Sequence, residues 1–143
     1  MPFETTRLVD WGDCDAAGIV FYPNFYRWMD GHFHQFTEAR LGFDQRTWRA
    51  YDMLGTPLRH TACTFHYPAR FGDTLTVSSA VTGQSDRSFS MAYTFSLSGR
   101  LVAEGSEVRV CVAERDGVLK AVPFPEAVSR LITQERGADA DAA

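Results

Sequence analysis

Phe89, Met91, Tyr93, Phe95 and Leu97 alternate with Ser90, Ala92, Thr94, Ser96 and Ser98, the period of a strand with one face on a core. Similar runs cover 58–67, 75–82 and 101–113, separated by the turn-like Phe71-Gly72-Asp73, Ser85-Asp86-Arg87 and Ser98-Gly99-Arg100. Between Pro23 and Gly42 the period changes. Phe25, Trp28, Met29, Phe33, Phe36 and Ala39 recur at helical spacing, Pro23 suits the first turn and Gly42 the end. The pattern predicts one long helix with a heavy aromatic face. A short first strand over 3–11, a weaker amphipathic piece over 44–54 closed by Gly55-Thr56-Pro57, and a short helix over 124–133 complete the reading.

Short links between successive strands imply antiparallel pairing, because a parallel neighbour needs a crossover of a dozen or so residues. A sheet with an apolar face must cover it, and the long helix is the only element large enough. The expected architecture is therefore α+β, a five-stranded antiparallel sheet wrapped around one helix, with a single domain over 1–136. Residues 137–143, built of Gly, Ala and Asp, read as a flexible tail.

Composition narrows the chemistry. Of the 143 residues, 45% are hydrophobic and 13% aromatic, which favours a bulky core or an aromatic-lined pocket. A net charge of −4 gives no reason to approach nucleic acid or anionic lipid. Cys14, Cys63 and Cys111 are odd in number and form neither a C-x-x-C pair nor a metal knuckle. That pattern suits a reducing compartment. With no apolar leader and no membrane-length run, a cytoplasmic location is expected.

Gly12-Asp13-Cys14-Asp15-Ala16-Ala17-Gly18 is a polar, glycine-flanked loop directly before the helix. A helix start gathers unpaired N–H groups and partial positive charge, so this junction offers a carboxylate beside donors, the parts needed to cleave an activated acyl group. Asp before a helix is also a common turn or cap residue, and spacing does not choose between Asp13 and Asp15. Asp30, His34 and Glu38 share one helix stripe, but no further ligand accompanies them, so no metal is expected. Cys14 between two acids is a poor nucleophile, and no G-x-S-x-G elbow exists.

The segment from Gly12 through Asp15, Tyr22 and Pro23 to Trp28 resembles the signature of the 4-hydroxybenzoyl-CoA thioesterase family of hotdog-fold proteins. The likeness continues through Gly55-Thr56-Pro57, Arg87-Ser88-Phe89 and Glu107-Val108-Arg109-Val110. The resemblance implies a hotdog fold and hydrolysis of an acyl- or aroyl-CoA thioester without a cofactor. It places the catalytic carboxylate at Asp15 and the carbonyl-binding backbone N–H at Tyr22. It puts Asp30 near an aroyl ring, with an ion pair to Arg27 as the plainer alternative, and Arg87, Ser88 and Lys120 near the CoA phosphates. Arg109 is left as a strand-face charge. Ala16 departs from the Pro usual in the 4-hydroxybenzoyl enzymes. Hotdog proteins place sites at subunit interfaces, so a homodimer or homotetramer is expected. Asp30 lies about 12 Å along the helix from Tyr22 and reaches the ring more easily from a neighbouring subunit. The alternatives are a broad short-chain acyl-CoA or acyl-carrier-protein thioesterase and a non-catalytic acyl-CoA-binding module.

Overall fold

The computed structural model describes residues 1–44 and 46–142. Strand β1 (Phe3–Leu8) leads through a single 3-10 turn, Trp11–Asp13, into the loop before helix α1 (Pro23–Phe36). Strands β2 (Leu58–Phe65), β3 (Thr74–Gln84), β4 (Ser88–Leu97) and β5 (Arg100–Val110) follow. The hairpin of β6 (Val112–Arg115) and β7 (Val118–Ala121) and helix α2 (Glu126–Ala142) close the chain. The five-stranded sheet has the order β1-β3-β4-β5-β2 with every pair antiparallel. This is the α+β hotdog architecture: α1 lies along one face of the curved sheet.

The alternation in β4 buries Phe89, Met91, Tyr93 and Phe95, and β3 adds Leu75, Val77 and Val81. From above, α1 presents Phe25, Trp28, Met29, Phe33 and Phe36. Each fully buried side chain of this kind contributes about 1.5–3 kcal/mol. Phe25 meets Phe95 at 5.2 Å between ring centroids and Phe33 meets Phe89 at 5.9 Å, so the helix runs antiparallel to β4 and its start lies over the far end of that strand. Gly105 permits the close approach at mid-helix, because a Cβ there would stand 2.6 Å from Met29 Sδ.

Several boundaries differ from the sequence expectation. The α-helical part of α1 stops at Phe36, and a π turn over Thr37–Leu41 carries the chain to Gly42 at φ 74°. Thr37 Oγ1 donates to the His34 carbonyl at 3.0 Å, the local back-bond that loosens a helix. Of the piece expected over 44–54, the described residues form only a 3-10 turn, Trp48–Tyr51, and Gln45 lies outside them. The run expected over 101–113 breaks before Val112, and its end becomes β6 of a hairpin whose turn, Asp116-Gly117, has φ 55° and 76°. Asp-Gly at that spacing is a strong two-residue hairpin signal. Helix α2 continues to Ala142 rather than closing near 133, so 137–142 are helical backbone. Ala143 lies outside the described residues.

At the β2 edge the sheet is bare. Among the described residues that strand pairs only with β5, most of its residues are exposed, and Leu58 and Phe65 stand 44% and 46% exposed.

Candidate active site

Asp13 and Asp15 have different surroundings. The Asp13 carboxylate accepts the Asp10 N–H at 2.8 Å, and its carbonyl accepts the Phe21 N–H and the Asn24 side-chain amide, each at 2.8 Å. Asp13 therefore holds the loop in shape. Asp15 is exposed; its N–H donates to the Ile19 carbonyl at 3.0 Å and its own carbonyl accepts the Gly18 N–H at 3.0 Å. Its Oδ1 accepts the Ala17 N–H at 2.9 Å, an Asx turn that shapes the loop where a proline is missing at Ala16. Oδ2 has no hydrogen-bond partner among the described residues. Gly18, at φ 77°, turns the chain back so that Val20 can donate to the Ala69 carbonyl at 2.9 Å.

At the start of α1 the donors are nearly all used. Pro23 has none, Asn24 N–H donates to the Phe21 carbonyl at 2.9 Å, and Phe25 N–H to the Tyr22 carbonyl at 3.1 Å. The Tyr22 N–H alone finds no acceptor among the described residues. Tyr22 is the N-cap residue of α1, at the positive end of the helix, where a developing oxyanion is favoured. Beside it a groove of about 510 Å³ runs between Ile19, Val20, Tyr22, Phe25, Phe65 and Pro68, toward the end of β2. Its lining is mostly apolar, as an acyl group requires.

Arg87, Ser88 and Lys120 lie elsewhere. The Cys111 N–H donates to the Arg87 carbonyl at 2.8 Å, the Val122 N–H donates to the Cys111 carbonyl at 2.9 Å, and Lys120 pairs with Ala113 across the β6–β7 hairpin. These bonds gather the three residues at the Phe89 end of the sheet. Asp15 and Tyr22 belong to the Phe95 end, roughly 20 Å away along β4. One chain does not bring the two groups together. Arg87 and Lys120 are exposed and form no ion pair with a described residue.

Asp30 is paired with Arg109, not Arg27: Arg109 Nη2 donates to Asp30 Oδ1 at 3.0 Å. Arg109 is therefore no strand-face charge. It is 3% exposed, because β5 turns Glu107 and Arg109 toward the helix. Asp30 also borders a separate groove of about 340 Å³ with Arg27, Trp28 and Gln35, away from the one beside Tyr22. Along the helix stripe, His34 Nε2 stands 3.5 Å from Asp30 Oδ1, while Glu38 pairs with Arg46 at 3.6 Å. Among the described residues no cluster of His, Cys, Asp and Glu has the makeup of a metal site.

The sequence does not single out His32. Its ring is 2% exposed, bonded to Thr5 Oγ1 and Ser79 Oγ at 2.7 Å each, and burial pushes its pKa down to about 4. Its spacing with Phe25, Trp28, Met29 and Phe36 on the buried face is the one signal the chain offers for it. Burial pushes the Cys63 and Cys111 thiols up to about 11, with Glu104 adding to the first, so neither is a thiolate near neutral pH.

Residues 9–132 match the model of the thioesterase-like superfamily, and the chain belongs to that superfamily: it is a hotdog-fold thioester hydrolase. It is 30% identical over 124 residues to a 1,4-dihydroxy-2-naphthoyl-CoA hydrolase of Synechococcus sp. (strain RCC307), covering 83% of this chain and 92% of that one. The 4-hydroxybenzoyl-CoA thioesterase of Pseudomonas sp. (strain CBS-3) is 28% identical over 125 residues, covering 83% of this chain and 89% of that one. Its solved structure superposes with a TM-score of 0.83 over 91% of this chain and 98% of its own. A gentisyl-coenzyme A thioesterase structure is 35% identical, with a TM-score of 0.78 over 88% and 98% of the two chains.

Proposed function

We propose that this chain hydrolyses an acyl-CoA thioester whose acyl group is a hydroxylated aromatic acid, with Asp15 as the catalytic carboxylate and the Tyr22 N–H as the carbonyl donor. The observation that carries this reading is the one N–H at the start of α1 without an acceptor among the described residues, beside a loop whose exposed carboxylate keeps one oxygen free of them. The thioester oxygen accepts the Tyr22 N–H, and the acyl group enters the apolar groove. Such a donor typically contributes about 10² to 10³ in rate. Asp15 then acts in one of two ways. As a base it takes a proton from water while the water oxygen bonds to the carbonyl carbon; the C–S bond then breaks, and the departing thiolate takes that proton from Asp15 to become coenzyme A. As a nucleophile it displaces the same thiolate to form an anhydride, which water cleaves to the acid.

Three relatives act on 4-hydroxybenzoyl-, gentisyl- and 1,4-dihydroxy-2-naphthoyl-CoA, and hydroxylated aromatic acyl groups are common to all of them. Because Arg87, Ser88 and Lys120 stand at the opposite end of the sheet from Asp15, the phosphates of one substrate meet these groups from a second subunit. That sharing calls for a homodimer or homotetramer, and the bare β2 edge offers one surface for it. Three unpaired cysteines support a reducing, cytoplasmic location.

Thiol release from 4-hydroxybenzoyl-, gentisyl-, benzoyl- and short alkyl-CoA tests the reading. The hydroxylated aroyl esters should give the highest kcat/KM. A preference for alkyl esters or carrier-protein esters would move the substrate to the short-chain class, and binding without thiol release would make the chain a non-catalytic module.

A further inference from the structure

Beneath Asp30 lies a connected set of buried polar groups that the reaction itself does not use. Arg109 donates from Nε to Glu107 Oε2 at 3.1 Å, from Nη2 to Glu107 Oε1 at 2.9 Å and from Nη1 to the Thr56 carbonyl at 3.3 Å. The Tyr93 hydroxyl donates to Glu107 Oε2 at 2.6 Å, and the guanidinium carbon lies 3.9 Å from the Phe33 ring centroid. Tyr93, Glu107 and Arg109 are at most 3% exposed. These bonds and the Phe33 ring hold the guanidinium in place. The remaining Nη2 bond goes up to Asp30 Oδ1, on a side chain 52% exposed.

Charge compensation does not explain that last bond. Glu107 already neutralises Arg109 through two hydrogen bonds, and a buried ion pair is weak evidence for stability. The consequence for Asp30 is directional. Arg109 and His34 both approach Oδ1, and Oδ2 has no partner among the described residues. A carboxylate clamped by one oxygen and open at the other is an acceptor of fixed orientation, suited to a ligand O–H.

We propose that Arg109, itself fixed by Glu107 and Tyr93, is a positioning residue that aims Asp30 Oδ2 at the ring hydroxyl of a substrate whose carbonyl is held at the Tyr22 N–H of a neighbouring subunit, since Asp30 and Tyr22 of one chain border separate grooves. Selection between hydroxylated and plain aroyl groups then depends, beyond Asp30 itself, on groups that never touch the substrate. The proposal rests on the hydroxyaroyl-CoA reading above and deepens it. Loosening the clamp lets the carboxylate rotate away, so the hydroxylated substrate loses a bond that the plain one never had.

The test is the ratio of kcat/KM for 4-hydroxybenzoyl-CoA to that for benzoyl-CoA. Asp30→Ala should lower the ratio at least about tenfold, and Arg109→Gln combined with Glu107→Gln, which removes both charges without orphaning either, should lower it by a similar factor. Arg109→Lys keeps one donor and should recover part of the ratio; Tyr93→Phe should lower it by about two- to threefold. A merely structural role would reduce both substrates in parallel and leave the ratio alone. If Asp30→Ala collapses the ratio and the folded double variant does not, the positioning role is overturned and Asp30 remains the selector. If Asp30→Ala leaves the ratio unchanged, the hydroxyaroyl reading of Asp30 fails and the positioning role falls with it. Should the double variant not fold by circular dichroism, Arg109→Lys and Tyr93→Phe decide, and an unchanged ratio in both overturns the proposal.

Discussion

The side-chain amide of Asn24, in the first turn of α1, donates to the Asp13 carbonyl at 2.8 Å and so ties the helix start to the loop that carries Asp15. Together with the Phe21 N–H on the same carbonyl, it fixes where Asp15 stands relative to the Tyr22 N–H. Removing the tie should misplace the carboxylate without removing it. Asn24→Ala is expected to lower kcat by about tenfold and to cost about 1 kcal/mol in stability, the size of one lost hydrogen bond. Single-turnover hydrolysis alongside urea denaturation checks both, and a wild-type kcat in the folded variant would show that the loop holds Asp15 without Asn24.

The contrast between the two aspartates gives a sharper expectation. Asp15→Asn should fold normally and lose at least about a hundredfold in turnover, since an amide is neither base nor nucleophile. Asp13→Asn retains an oxygen that can accept the Asp10 N–H, so its loss should be smaller. Steady-state kinetics on both, with circular dichroism as the control for folding, measures the difference. A larger loss at Asp13 would reverse the assignment.

Both layers of the fold are legible in the chain itself. The alternation through β4 and the aromatic spacing from Phe25 to Phe36 identify them, because burial on one face leaves a period in the sequence. The contiguous G-D-C-D loop identifies the candidate site for a related reason: its parts are neighbours along the chain. What is not legible depends on partners far apart. Nothing in the order of residues joins Asp30 to Arg109, or His32 to Thr5 and Ser79; only the register of α1 over β5, β1 and β3 does so. The full length of α2 is hidden because Gly and Asp are weak helix signals, and they dominate its last turns with Ala. The Asp116-Gly117 turn does carry a local signal, but the apolar run leading into it from β5 masks the break at Cys111.

Arg87 and Lys120 provide a test of how the substrate is shared. Both are exposed at the sheet end remote from Tyr22. If they hold phosphates, neutralising them should raise KM for CoA esters by about tenfold or more with little change in kcat, the mark of uniform binding. Paired Arg87→Gln and Lys120→Gln substitutions, assayed on CoA and pantetheine esters of the same acid, separate a nucleotide effect from a general one. An unchanged KM for the CoA ester would put the phosphates elsewhere.

His32 predicts how stability depends on pH. Enclosed between Thr5, Ser79, Phe3 and Tyr93, the ring stays neutral in the folded protein down to about pH 4, whereas in the unfolded chain an ordinary histidine titrates near 6.5. Between those two values the unfolded state binds more protons, so acid favours unfolding. The stability owed to the neutral ring is complete above pH 6.5 and is lost as pH falls toward 4, with a slope approaching about 1.4 kcal/mol per pH unit. Carboxylates titrate in part of the same range, so the wild-type curve alone does not isolate the ring. His32→Gln does, because an amide can still bond both hydroxyls but carries no titrating proton. Denaturant unfolding of the two proteins from about pH 7.5 to about 4.5 should show the wild type losing stability faster below about 6.5, and the gap between the curves should narrow by a few kcal/mol. Parallel curves would mean that the ring protonates as readily inside the fold as outside it, and that Thr5 and Ser79 accommodate the imidazolium.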